Sequence, residues 1–410
     1  TGAQGNNDSC MRCHIGYGWE DKSFDFNDAT NIDCLVCHDK TDTYFKQKSM
    51  AGWPATEATA TKEFPVPDYN YVAANVGYPD RDNCGVCHFY GGGGNNVKHG
   101  DLEEALYHTT KKVDVHMGED GQNMVCVDCH EAQNHNIKGR SYSVGAENTN
   151  RLHCYQCHTN APHNDKVLDY HNSKIACQTC HIPVYAKVNA TTLYWDWSTA
   201  GRRDANGNAI KEYDADHNYS YLSIKGHFVF DNMVKPEYYW FNGTVDHFLR
   251  DDTIKDSPVQ INSLFGDYSD PNAKIWPVKV HRGKQAYDPV YKQLLSVKLF
   301  AHNKGEGAFW EDLEWEPAIR LGMEYNNRPW SGEYDFIETE VYWPINHMVS
   351  QKEETLSCTD CHTREKGRLA KLNDFYLPGR DYNKLLDYSG FAIIILSLLG
   401  VIGHAILRIF

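Results

Sequence analysis

Cys154-Tyr-Gln-Cys157-His158, followed after eighteen residues by Cys177-Gln-Thr-Cys180-His181, decides how the rest of the chain reads. His153, His163 and His171 lie just before or between the two motifs. Two cysteines three apart reach the two vinyl groups of one porphyrin, and the adjacent histidine turns under the ring towards its iron. Cys-x-x-Cys-His is therefore the attachment signature of c-type haem. The spare histidines are candidates for the ligand on the opposite face, at these sites or at neighbouring ones.

The motif recurs along the whole chain. The set is Cys10/Cys13/His14, Cys34/Cys37/His38, Cys84/Cys87/His88, Cys126/Cys129/His130, Cys154/Cys157/His158, Cys177/Cys180/His181 and Cys358/Cys361/His362. These use all 14 cysteines, so none is left for a disulfide or a catalytic thiol. Histidine is 21 of 410 residues, and chance would place one after a Cys-x-x-Cys about one time in twenty. Seven out of seven excludes zinc ribbons and thioredoxin-like pairs and predicts seven covalently bound haem c groups. The net charge of −15 argues against nucleic acid as a partner. Covalent haem attachment takes place outside the cytoplasm, and a start at Thr1 fits removal of an export signal, so an extracytoplasmic haem domain is expected.

Residues 1–185 read as a six-haem region and 186–345 as an aromatic-rich, haem-free covering region. Residues 346–375 hold the seventh haem site, 376–387 a linker and 388–410 a transmembrane helix. Porphyrin faces need apolar cover, so the expected fold is a multihaem c-type cytochrome of mainly short α-helices and loops around a haem array, with little β structure. The Gly91-Gly-Gly-Gly94 run lacks a preceding strand and a Gly-Lys-Ser/Thr, which excludes a nucleotide cradle and suggests backbone passing close to a haem. Asp101 reads as the cap of a short helix towards His108. Eight of the ten tryptophans fall between 182 and 357, where they read as haem-covering apolar area. Asp204, Asn206 and Asn208 imitate a calcium loop but lack its glycine and terminal glutamate, so they read as a surface turn.

Gly390 to Leu407 is an 18-residue run with one ionisable group, His404, close to the length a bilayer requires. A single-pass anchor with the haem domain on the extracytoplasmic side is the expectation. Gly390, Ser397, Gly400 and Gly403 recur at roughly helical spacing and suggest a membrane-embedded partner subunit. Among histidines outside the attachment motifs, His99, His116, His135, His163, His171 and His347 are the favoured distal iron ligands by position, with His108, His153, His227 and His302 in reserve.

Several longer stretches resemble the octahaem tetrathionate reductase family of multihaem cytochromes. They include Gly91-Gly-Gly-Gly-Asn-Asn-Val-Lys-His-Gly-Asp-Leu102, Asp114-Val-His-Met117, Trp195-Asp-Trp-Ser-Thr-Ala-Gly201, His281-Arg-Gly-Lys-Gln285 and Trp343-Pro-Ile-Asn-His-Met348. The likeness runs in order over most of 80–370, with seven haem motifs instead of eight and an added anchor. It implies a haem with lysine as distal ligand at the substrate site, matched here by Lys98. A surface lysine, with His99 as the ligand, is the other reading. Six distal histidines plus Lys98 would then serve seven irons. The family's active-site aspartate is matched by Asn95, and a second active-site lysine by Lys187. Two functions follow as expectations. One is electron transfer between a membrane redox partner and an extracytoplasmic acceptor. The other is terminal reduction of a small sulfur or nitrogen oxyanion at the Lys98 haem.

Overall fold

The computed structural model describes residues 13–21, 23–47, 50–139 and 149–409. The chain divides into two compact units, Thr1–Thr355 and Leu356–Phe410.

The haem-free stretch is not a covering of helices and loops. It forms a nine-stranded sheet, which overturns the expectation of little β structure. The strands are β1 (Thr191–Asp196), β2 (Lys211–Tyr213), β3 (Tyr219–Leu222), β4 (Gly226–Asp231), β5 (Glu237–Phe241), β6 (Val259–Gln260), β7 (Lys274–Asp288), β8 (Gln293–Leu294) and β9 (Asp335–Pro344). The main path runs β2-β3-β4-β1-β7-β9-β6, while β5 and β8 pair with the two ends of β7. Thr-Thr-Leu-Tyr-Trp, Tyr-Tyr-Trp-Phe and Val-Tyr-Trp are β-branched and aromatic runs of the kind that fit a pleated surface. In the sequence their aromatic content reads as haem cover, whereas its first use is to build strands.

The 15-residue β7 is the spine. Its first half is buried almost without interruption, as for a strand covered on both faces. It pairs antiparallel with β9 over ten residues and parallel with β1. Arg282 on β7 faces Glu340 across the register and makes ion pairs with Glu340 (3.0 Å) and Glu237 (2.7 Å), stitching β5, β7 and β9. On one part of the sheet the helix Trp315–Tyr325 packs Ile319 and Met323 onto Ala286 and Leu295.

The β3–β4 hairpin depends on one glycine. Gly226 has φ of 88°, and a Cβ there would overlap the Asp196 carbonyl oxygen of β1. Gly226→Ala is expected to destabilise the unit by about 2 kcal/mol or more, since left-handed strain and a backbone clash add. Thermal unfolding followed in the strand region of the circular dichroism spectrum checks this; an unchanged midpoint would show that the hairpin yields freely.

Helices are mostly single turns, and these carry the attachment motifs: Leu35–His38, Arg81–His88, Cys126–Cys129, Cys177–His181 and Cys358–Cys361, with a 3₁₀ turn at Cys154–Gln156. Two of the turns are closed by an aspartate between the cysteines. Asp128 accepts from Val125 N (2.7 Å) and Asp360 from Ser357 N (2.8 Å). Arg81, buried at the start of its helix, donates to the carbonyls of Tyr107 and Met124, so that motif is anchored to the 107–124 loop. Asp101 does not cap the expected helix. A 3₁₀ turn forms at Glu104–Leu106, and Asp101 is buried beneath residues 346–347. The imitation calcium loop is a turn in which Asp204 accepts from the backbone of Asn206 and Asn208.

In the second unit, Arg380 donates to the carbonyls of Leu369 (3.0 Å) and Phe375 (2.7 Å), folding the segment after the motif. The helix Lys384–Ile409 follows. It is 26 residues long, none of them buried, and apolar enough to cross a membrane by length and composition.

Candidate haem sites and the Lys98 pocket

A three-residue spacing on a helical turn puts both cysteines of a motif on one side, with the histidine one step further. The thirteen described motif cysteines are exposed or half-exposed, and Cys10 lies outside the described residues. The Cys84 and Cys126 thiols are within hydrogen-bond contact, and so are those of Cys154 and Cys177. Attachment turns three and four therefore abut, as do five and six.

The first three motifs gather about one lysine. Cys13 of the first motif, Cys37 of the second and Cys87 of the third all lie close enough to Lys46 to act on its charge. Burial lowers the Lys46 pKa first; Asp33, then Cys87, Cys13 and Cys37, pull it back up. Lys46 Nζ donates to the carbonyls of His14 and Gly16 (2.6 Å each), which holds it against the first motif.

The histidines supply a sharper test of whether haem fits. Two imidazoles bound opposite one another at about 2.0 Å from a metal hold their ring centres about 6 Å apart. Four motif histidines have such a partner: His38 with His135 (6.2 Å), His158 with His116 (6.0 Å), His130 with His347 (6.2 Å) and His181 with His163 (6.2 Å). A gap of that size between parallel or crossed rings is wide for packing and suited to an iron between them.

The outer ring nitrogens point the same way. His38, His130 and His362 place Nδ1 2.8 Å from the carbonyls of Gly77, Lys138 and Pro378. His171 does so with Val167 O (2.8 Å), His163 with Asp169 (3.0 Å) and His347 with Asp101 (3.1 Å). A hydrogen bond at Nδ1 fixes the tautomer and leaves Nε2 as the metal donor. The residues present fit the group.

Other expected ligands are placed differently. Among the described residues, the His99 ring meets Trp343 edge-on at 5.1 Å and not a motif histidine. Burial pushes its pKa down to about 4. His14 lies edge-on to Trp19 at 4.6 Å. His153 stacks on Tyr155, and His108 bonds Glu119. Lys187 donates to Val113 O and Ser350 Oγ (2.9 Å each), tying two loops together, and does not line the cavity described next. Asn95 Oδ1 is occupied by the Glu104 backbone N–H at 2.8 Å.

Lys98 lies at the rim of a cavity of about 140 Å³. One side is the glycine loop, through Gly92, Val97 and Lys98; the other is one face of the sheet. His281, Gly283 and Gln285 alternate along β7, opposite Thr339, Val341 and Trp343 on β9, with Trp195 and Trp197 closing an edge. Trp195 and Trp197 stack at 4.8 Å, a stiff apolar wall. Burial lowers the Lys98 pKa, and its Nζ is 4.8 Å from the Trp343 ring centre. The His88 pKa is lowered first by burial and then by the nearby charges of His347 and Lys98, which places Lys98 electrostatically at the third motif. Burial, with the Lys279 charge behind it, drives the His281 pKa down to about 3, so His281 is a neutral ring in the wall. Lys279 Nζ donates to Val97 O (2.8 Å), Lys98 O (3.0 Å) and Thr191 Oγ1 (2.6 Å), pinning the Lys98 loop to β1 and β7. Sequence reasoning does not single out His281 and Gln285 as pocket residues, or Lys279 as the clamp on the Lys98 loop. Their two-residue spacing shows it only once a strand is recognised.

Repeated attachment turns with paired imidazoles define a multihaem c-type cytochrome. A family profile described as bacterial cytochrome c matches residues 192–365, the sheet and the last motif. An uncharacterised protein of Archaeoglobus fulgidus is 28% identical over 138 residues, a match spanning 31% of this chain and 45% of that protein's length. The fold is similar to the crystal structure of an octahaem cytochrome c from Shewanella oneidensis, with a TM-score of 0.77 and 42% identity over 88% of this chain and 78% of that one. The chain belongs to the octahaem tetrathionate reductase family of multihaem c-type cytochromes.

Proposed function

We propose that the protein is a membrane-anchored heptahaem cytochrome c that takes electrons from a membrane redox subunit and delivers them to a small sulfur or nitrogen oxyanion at a site held by His88 and Lys98. The observation that carries this reading is the cavity at Lys98. Each haem supplies one-electron redox chemistry when bound. His14, His38, His88, His130, His158, His181 and His362 serve as the attachment-side ligands. His135, His347, His116 and His163 face four of them, and His171 keeps Nε2 for a further iron.

The roles of the pocket residues follow from their chemistry. Lys98 binds as the neutral amine and is displaceable, unlike a second clamped imidazole. Trp195, Trp197 and Trp343 exclude water. His281 and Gln285 offer hydrogen bonds, and no carboxylate lines the wall among the described residues. The helix 384–409 anchors the extracytoplasmic domain, and its small-residue stripe meets the membrane subunit. Nucleic acid has no place in this scheme.

Reduced full-length protein in detergent is expected to turn over tetrathionate or nitrite and to bind cyanide at one haem. Seven haems inert to all three would exclude the terminal reductase. A relay to a separate extracytoplasmic acceptor would then stand as the second reading, favoured by Asn95, which replaces the family's aspartate and is already spent on Glu104.

A further inference from the structure

Four consecutive backbone N–H groups around His347 are held by two buried carboxylates. Asp101 Oδ2 accepts from Asn346 (2.8 Å) and His347 (3.0 Å), and Asp114 Oδ2 from Met348 (2.8 Å) and Val349 (3.1 Å). Met348 has φ of 66°, a left-handed conformation that a buried non-glycine residue keeps only where its surroundings impose it. The cradle therefore aims the His347 ring. Asp101 Oδ2 also faces His347 Nδ1 at 3.1 Å, and Asp101 is only 3% exposed.

Carboxylates beside the other distal imidazoles are weaker partners. Asp169 meets His163 Nδ1 at 3.0 Å, but the Asp169 side chain is 17% exposed against 4% for Asp101, the two histidines being alike in exposure. Asp114 is 3.8 Å from His116 Nδ1, beyond hydrogen-bond reach, with both oxygens committed to backbone N–H groups. Among the described residues, only at His347 does a fully buried carboxylate share the Nδ1 proton. Lys279, whose pKa burial pulls down to about 7 against the charge of Asp101, has its donors spent on Val97, Lys98 and Thr191.

A carboxylate at Nδ1 makes Nε2 a stronger donor, which stabilises ferric over ferrous iron. A buried negative charge acts in the same direction, because the oxidised site carries one more positive charge and screening is poor. We propose that Asp101 is a positioning residue that makes the iron between His130 and His347 the most strongly reducing of the four bis-histidine sites, directly beside the His88/Lys98 site. This rests on the ligand pairing given above. The adjacency is fixed by the abutting Cys84 and Cys126 turns. The arrangement would give the last electron transfer towards the pocket a steep driving force.

Redox titration of the full-length holoprotein, followed by electron paramagnetic resonance and magnetic circular dichroism, tests it. His347→Met is expected to remove one bis-histidine component, and that component should have the lowest potential of the four in the wild-type protein. Asp101→Asn, which keeps an acceptor for the backbone N–H groups, is expected to raise its potential. Its oxidised-to-reduced ratio at fixed potential should fall at least tenfold, about 59 mV for one electron. Asp169→Asn should shift a different component, and by less. A wild-type titration in which the His347 component is not the lowest of the four bis-histidine components overturns the proposal even where Asp101→Asn yields no folded protein. So do superimposable Asp101→Asn and wild-type titrations. If His347→Met removes no bis-histidine component, the ligand pairing itself is wrong and the tuning falls with it.

Discussion

Lys98→Ala is expected to alter a single haem, turning a six-coordinate low-spin site into one open to exogenous ligands. The reasoning starts at the backbone. Lys279 clamps the Val97 and Lys98 carbonyls to the sheet, so the lysine side chain is directed by a rigid loop instead of moving at large on a surface. Burial disfavours its ammonium form, which is the condition for a neutral amine donor. Alanine removes that donor without disturbing the clamp, which uses main-chain atoms. Cyanide then no longer competes with an internal ligand, and its affinity at this site should rise by an order of magnitude or more, about 1.4 kcal/mol per tenfold. Lys98→His makes the opposite prediction. A second imidazole should close the site, and oxyanion turnover should fall by roughly 10²-fold or more, the scale of losing a positioned group at a reacting centre. Magnetic circular dichroism and cyanide titration read both variants. Spectra of Lys98→Ala identical to wild type would show that Lys98 binds no iron and would return the cavity to the status of a packing defect.

That site is only half legible in the sequence. The attachment turns are, because Cys-x-x-Cys-His is a local pattern whose geometry one helical turn fixes. How the turns cluster is not local, and so the gathering of Cys13, Cys37 and Cys87 about Lys46 has no sequence signal. The distal histidines are partly legible: position along the chain selects His116, His135, His163 and His347, each of which faces a motif histidine in the fold. His99 is selected by the same rule, and its ring lies edge-on to Trp343, a contact that proximity to a motif does not reveal. The sheet is hidden for a definite reason. In β7 the sequence Val278-Lys-Val-His-Arg-Gly-Lys-Gln285 alternates apolar and polar only at first, because Lys279 is itself buried and His281 half-buried on the pocket side. A strand whose inward face carries lysine, histidine and glutamine does not read as amphipathic. Its polar residues belong to the cavity and its supporting loop, so the feature that hides the strand is the one that builds the site.

Deleting residues 384–410 is expected to move the protein from the membrane fraction to the soluble fraction with its haems retained. The helix Lys384–Ile409 would extend about 39 Å at 1.5 Å per residue, more than the roughly 30 Å of a bilayer core. Eleven large apolar side chains, Phe391, Ile393–Leu396, Leu398, Leu399, Val401, Ile402, Ile406 and Leu407, are exposed along it. At about 0.3–0.6 kcal/mol each on an insertion scale, they favour the membrane by roughly 3–7 kcal/mol, enough for near-complete partition. The attachment motif at Cys358 and its Arg380 lock lie outside the deletion, so the second unit keeps its haem site. A finer version leaves the length intact: Ile395→Lys with Leu398→Lys puts two charges at mid-span, costing about 2.5–3.5 kcal/mol each, which offsets most of the apolar gain. Fractionation in carbonate buffer, with haem staining of both fractions, reads either variant. If the truncated protein still sediments with membranes, the hold lies in the acidic haem domain or a partner bound to it, and the helix is a protein-docking element instead of an anchor.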